Sequence, residues 1–112
     1  MTDARQFLVF TNPVKGREDE YNKWYDNQHL HDVVAVEGVT AARRYEVVPN
    51  RLTGEPTHLY LAVYDLEGDL DATLDGFSKH RADGRMPLSD SMDMTNLVRS
   101  IWSPRGPTLH RR

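Results

Sequence analysis

The run His-Leu-Tyr-Leu-Ala-Val-Tyr-Asp-Leu at residues 58–66 constrains this chain most. A strand turns successive side chains to opposite faces, and this run is apolar on both. Such a strand sits centrally in a sheet whose two faces are both covered. Residues 6–11 (Gln-Phe-Leu-Val-Phe-Thr) read the same way, as a second buried strand. At 112 residues, however, the chain has room for one domain only, spanning 1–112 with a tail from about 104. A chain of this size buries roughly two-thirds of its unfolded surface. That makes a core but no spacious private cavity, so a pocket for anything large calls for a second subunit.

The other elements follow from periodicity and punctuation. Pro13 and Gly16 make 12–16 a loop. Helical spacing then runs from Arg17 to about Gln28, with Glu18, Asp19 and Glu20 in the first turn, where they suit the macrodipole. The apolar stretch 30–36 extends that helix or restarts it after a kink, and Glu37-Gly38 ends it. Residues 39–48 read as a strand stopped by Pro49, and 50–57 as a turn region. Residues 69–80 carry amphipathic spacing at Leu70, Thr73, Leu74 and Phe77, with Asp69 or Asp71 available as a cap. Residues 81–94 are irregular and long for a connection in so small a domain, as functional lids and partner contacts often are. Residues 95–102 give the last strand.

The order strand, helix, strand, strand, helix, strand is the split βαβ of a ferredoxin-like α+β sandwich. Its four-stranded antiparallel sheet would carry two helices on one face. The other face needs a cover, and a second copy of the same sheet is the simplest.

Composition removes several function classes. A net charge of −3 gives no electrostatic reason to expect nucleic acid as a partner. With no cysteine there is no disulfide, thiolate nucleophile or cysteine-ligated zinc. No apolar run approaches the ~20 residues that span a bilayer, so no membrane partner is expected. The opening residues lack the charged-then-apolar order of an export signal, which makes the cytoplasm the expected location. Gly-rich phosphate loops and a nucleophile elbow are missing too.

The chemistry-bearing stretch is Tyr21-Asn22-Lys23-Trp24-Tyr25-Asp26-Asn27-Gln28-His29-Leu30-His31-Asp32-Val33. On a helix, residues three and four apart share a face. Tyr21, Trp24, Tyr25, Gln28, His29 and Asp32 then form one stripe, with Lys23 and Asn27 turned away. It mixes large apolar surface with hydrogen-bonding tips and an imidazole beside a carboxylate, which suits the wall of a small-molecule pocket.

With this element order and the Trp24-Tyr25-x-x-x-His29 segment, the chain resembles the dimeric α+β barrel superfamily, and within it the EthD-like branch. The matching pieces are Phe7-Leu8-Val9-Phe10-Thr11-Asn12-Pro13, then Gly16-Arg17-Glu18-Asp19-Glu20-Tyr21-Asn22, Trp24-Tyr25 with His29, Asp32-Val33, and Gly38-Val39 running into Ala42-Arg43-Arg44-Tyr45. The second half matches in element order alone. His31 stands where a proline often follows in such proteins. The resemblance implies homodimers whose sheets face each other to close a barrel, with pockets between the sheet and helices of each subunit. It also implies activities ranging from cofactor-free monooxygenation of aromatic polyketides to lactone isomerisation, dehydration, cyclisation and heme handling. The histidine that His29 matches is the usual acid–base candidate there.

His29 is thus the principal candidate, either a proton shuttle near neutral pH or a helix-end histidine satisfied by backbone carbonyls or Asp32. Asp32 orients His29 or caps the following turn. Tyr25 donates to a substrate carbonyl or enolate, or is a core ring with a wet tip. Tyr21 and Trp24 line the pocket or the core. Tyr60 and Tyr64 share a strand face that meets either the first helix or a dimer seam. His80, at the end of the second helix, is a weaker substrate-binding candidate. Arg43 and Arg44 fall on opposite strand faces, with surface pairing the expected role. His29 and His31 diverge on a helix and no third ligand stands at diagnostic spacing, so no metal site is expected.

The expected function is a cofactor-free enzyme, of lyase or isomerase type, doing acid–base chemistry on a small, largely apolar aromatic or polycyclic carbonyl compound. A non-catalytic hydrophobic-ligand-binding protein and a cofactor-free monooxygenase are the alternatives.

Overall fold

The structure, a computed structural model, describes residues 4–112. Residues 1–3, part of the segment read for an export signal, lie outside the described residues. The strands are β1 (Arg5–Thr11), β2 (Val39–Glu46), β3 (Tyr60–Leu66) and β4 (Val98–Trp102). They form one antiparallel sheet in the order β2-β3-β1-β4. The helices are α1 (Glu18–Trp24), a π-helical turn (Tyr25–His29), α2 (Leu30–Val34) and α3 (Leu70–Ala82). This is the expected βαββαβ order, with the first helix made of three continuous pieces.

Register separates the two sheet faces. Phe7 lies opposite Tyr64, Val9 opposite Ala62 and Thr11 opposite Tyr60, and these residues face the helices. Along β3 the helix-facing Tyr60, Ala62, Tyr64 and Leu66 are buried, while Leu61, Val63 and Asp65 between them are partly exposed. The reverse face carries Leu8, Phe10, Leu61 and Val63, flanked by Tyr45, Val98 and Trp102, which are 46%, 47% and 60% exposed. One chain therefore covers one face of its sheet.

The π-helical turn explains the helical layer. An α-helix has 3.6 residues per turn, so side chains four apart drift around it by about 40° per step. In the wider turn the Leu30 N–H donates to the Tyr25 carbonyl, five residues back. That takes up the drift, and Tyr21, Tyr25, His29 and Val33 are all buried on one line. Gln28, placed on the stripe by a regular helix, is exposed instead. The helix runs on from the π-helical turn into α2, which contains His31.

Gly38 sets how closely α3 approaches. Its φ of +100° is in the left-handed region, and a Cβ there would run into Thr73 Oγ1 of α3. Thr73 is buried, and Asp69 caps α3 by accepting from the Asp71 N–H.

The irregular 83–97 segment lies along the open end of the helix layer and is pinned at several points. The Val14 N–H donates to the Ser91 carbonyl at 2.7 Å, the Asp93 N–H to the Asn12 carbonyl at 2.9 Å, and Pro13 bridges to Met92. Arg17 pairs with Asp90 at 2.7 Å. Near its end the Asn96 carbonyl lies 2.7 Å from His58 Nε2. The segment is a fastened wall rather than a free flap.

Candidate functional site

Between the sheet, α3 and this wall lies a cavity of about 830 Å³. Phe7 and Val9 of β1 and Tyr64 of β3 form its floor, Tyr25, His29 and Val33 one side, and Leu74, Phe77, Ser78 and Arg81 of α3 the other. Met86, Leu88, Met92, Met94 and Leu97 close it, with Arg99, Ser100 and Ile101 along β4. The three methionines make a polarisable, adaptable wall that accommodates varied ligand shapes. Phe7 packs on Phe77 and Tyr64 at centroid distances of 5.5 and 5.8 Å. The lining is apolar apart from one imidazole, two phenols, two serines and two guanidinium groups, the usual balance of a small-molecule site.

His29 is 8% exposed. Its ring stacks on Trp24 at 4.5 Å and meets Tyr25 edge-on at 4.9 Å. Burial, then the positive charges of Arg81 and Arg44, hold its pKa down at about 4. At neutral pH the imidazole is uncharged. Its Nδ1 is buried without a hydrogen-bond partner among the described residues.

The Tyr25 and Tyr64 hydroxyls lie 3.2 Å apart. Burial pushes the Tyr25 phenol up to about 12 and moves Tyr64 further in the same direction, so both keep their protons. When one hydroxyl donates to the other, the second proton is left for a ligand oxygen. Behind Tyr25, the Arg44 guanidinium lies 4.4 Å from its ring centroid, 5.0 Å from that of Tyr60 and 5.3 Å from that of Tyr21. Arg44 is also bonded to Asp26 at 2.7 Å and Asn22 at 3.0 Å. Its positive charge works against burial and lowers the Tyr25 phenol.

The expected site residues divide. His29, Tyr25 and Tyr64 come together on the cavity. Trp24 backs His29 from outside it. Tyr21 and Tyr60 turn to the other end of the sheet, where Tyr21 bonds Thr11 and Tyr60 bonds Glu18 and Asn22. The register explains this: Tyr60 and Tyr64 share a face but lie four residues apart, and only Tyr64 sits opposite Phe7. His80 does not line the cavity, because it lies off the α3 face that carries Leu74, Phe77, Ser78 and Arg81. No hydrogen bond or ion pair joins Asp32 to His29 among the described residues, and Asp32 Oδ2 is itself buried without a partner. Arg43 and Arg44 do point to opposite faces, but Arg44 is 11% exposed and central to the tyrosine cluster rather than a surface pair. Among the described residues, no group of three or more His, Asp or Glu is placed to share an ion.

Sequence reasoning missed the α3 and β4 sides of the cavity. Leu74, Phe77, Ser78 and Arg81 recur at three- and four-residue spacing, which marks one helix face. Arg99 and Ile101 alternate with Val98 and Ser100 along β4. Both signals were present, but neither says that the two faces converge.

No protein-family model matches the chain, and no curated protein matches it in sequence. Solved structures do match in shape. A candidate monooxygenase from Shewanella loihica PV-4 superposes with a TM-score of 0.67 at 8% identity, covering 96% of this chain and 99% of that one. An EthD family protein from Bacillus halodurans C-125 gives 0.55 at 12% identity, covering 93% and 99%. HapK from Hahella chejuensis gives 0.51 at 14% identity, covering 96% and 99%. No helix among the described residues is long and apolar enough to cross a membrane. The chain therefore has a ferredoxin-like α+β fold, the fold that an EthD family protein also has.

Proposed function

We propose that this protein is a cofactor-free enzyme that moves a proton on a small, largely apolar carbonyl compound, aromatic or polycyclic. The observation that carries the reading is the uncharged His29 beside the Tyr25–Tyr64 hydroxyl pair on one otherwise apolar cavity. His29 removes a proton from the carbon next to the substrate carbonyl. The electron pair moves onto the carbonyl oxygen, where a tyrosine hydroxyl donates to the developing enolate. Returning the proton to another carbon is an isomerisation; giving it to a departing hydroxide is a dehydration. Acid–base action of this kind contributes on the order of 10²- to 10⁴-fold, and positioning by the cavity supplies the rest.

Asp32 is the proposed positioning carboxylate. Its Oδ2 and His29 Nδ1 are both buried and unsatisfied one turn apart, so a side-chain rotation would let each answer the other. Full activity in Asp32→Asn would remove it from the mechanism. The half-open reverse sheet face supports a homodimer built face to face, for which light scattering should give twice the chain mass; a monomer at micromolar concentration would refute it.

The test of function is mass spectrometry of cell extract incubated with wild-type protein or with His29→Ala. A compound consumed by the wild type alone supports the reading, and its mass change identifies the reaction. Equal consumption by both proteins rejects His29 as the catalytic group, and a compound retained unchanged makes the protein a binder. The likeness to a candidate monooxygenase favours one second reading, oxygenation without a cofactor, which oxygen uptake during turnover would reveal.

A further inference from the structure

We infer that the cavity takes an amphiphilic anion, an aromatic-sized apolar body bearing a carboxylate or similar anionic oxygen, anchored by Arg81 and Arg99. This rests on the proposed function and names the charge of its substrate.

Elsewhere in the fold Arg17 is ion-paired with Glu20 and Asp90, Arg44 with Asp26, and Arg85 with Asp83. The Arg81 and Arg99 side chains make no hydrogen bond or ion pair among the described residues, and both residues line the cavity. They reach it from different elements. Arg81 follows Phe77 by one turn of α3, and Arg99 lies opposite Val9 in the sheet register. Among the described residues, no aspartate or glutamate lines the cavity.

Two like charges on one largely apolar cavity without a counter-charge repel each other, and an anionic ligand group turns that cost into attraction. Guanidinium groups suit the purpose, since their planar donors match a carboxylate in a two-point contact. The anion would also offset the Arg81 charge that helps keep His29 unprotonated, making the imidazole a stronger base once substrate is bound. The hydrophobic lining then holds the body of the ligand, with the charge at the rim near α3 and β4.

The test is calorimetric titration with 2-naphthoate and with 2-naphthalenemethanol, which share a ring system and differ in charge. The wild type should bind the carboxylate about tenfold or more tightly than the alcohol, a difference of about 1.4 kcal/mol. Arg81→Gln and Arg99→Gln should each weaken naphthoate several-fold, and the double variant should bind both probes alike, with affinity for the alcohol unchanged. Both side chains are exposed, so the variants should fold, and matching circular dichroism spectra would confirm it. Equal affinity for the two probes in the wild type overturns the inference. So does a carboxylate preference that survives in the double variant, or no binding of either probe at millimolar concentration. The two readings fail separately. Probes that bind alike while His29→Ala abolishes turnover sink the anion alone. A preserved carboxylate preference with turnover intact in His29→Ala sinks the chemistry alone.

Discussion

The helix-facing side of the sheet has two ends built from similar residues, and they differ in how completely they are satisfied. At the β2–β3 end, Arg44 lies among Tyr21, Tyr25 and Tyr60 and is held by Asp26 and Asn22, while Tyr60 is held by Glu18. At the β1–β4 end, rings and two further arginines surround open space of about 830 Å³. The closed end has its charge paired and its rings packed. Arg44 Nε is buried there without a partner among the described residues, and apart from Tyr25 these residues do not line the cavity. The open end leaves charge, hydroxyl protons and an uncharged imidazole facing a ligand-sized gap. Tyr25 belongs to both ends, with Arg44 against its ring and the cavity at its hydroxyl. We therefore propose function for the end whose unsatisfied groups face a cavity.

The largest expected effect is on pH-dependent stability. His29 is held near pKa 4 in the fold and titrates near 6.5 when unfolded, so it is neutral in both states above about pH 6.5. As pH falls, the unfolded chain takes up the proton first, and stability declines until about pH 4, by roughly 3 kcal/mol. Chemical denaturation across this window should show the decline in the wild type and its loss in His29→Gln. A slope that persists in the variant would mean that other groups carry it.

Next comes the closed end. Arg44→Ala removes the guanidinium from three rings and a buried stem from the core, which should cost about 2 kcal/mol in denaturant unfolding. A change below about 0.5 kcal/mol would show that the cluster is not structural. The smallest effect belongs to Tyr64→Phe, which deletes one hydroxyl of the pair. It should change stability by less than about 1.5 kcal/mol while slowing turnover about tenfold, because one oxyanion donor is lost.

How legible all this was in the sequence depended on how local each determinant is. The two doubly apolar runs, the strand order and the amphipathic 69–80 stretch needed only neighbouring residues, and the topology followed from them. Strand ends were less legible. The last strand starts at Val98 rather than Thr95 because the Asp93 carboxylate takes both the N–H and the hydroxyl of Thr95. The third strand starts at Tyr60 rather than His58, whose ring is engaged by Asn96 and Thr57. The second ends at Glu46, two residues before Val48. The π-helical turn left a trace in the four-residue spacing of Tyr21, Tyr25, His29 and Val33, but reading it as a regular helix placed Gln28 and Asp32 on the same stripe. His29, Tyr25 and Tyr64 were legible because their chemistry is unusual for a core. Arg81 and Arg99 were not, since only the folded register of α3 against β4 brings them to one cavity.

Whether catalysis belongs to the open end can be decided by following consumption of the extract compound by His29→Gln and Arg44→Ala beside the wild type, each with its melting temperature. His29→Gln should fold like the wild type at pH 7 and turn over at least about a hundredfold more slowly, whereas Arg44→Ala should melt earlier but retain most of its activity below its melting point. Undiminished turnover by a folded His29→Gln protein would contradict this assignment.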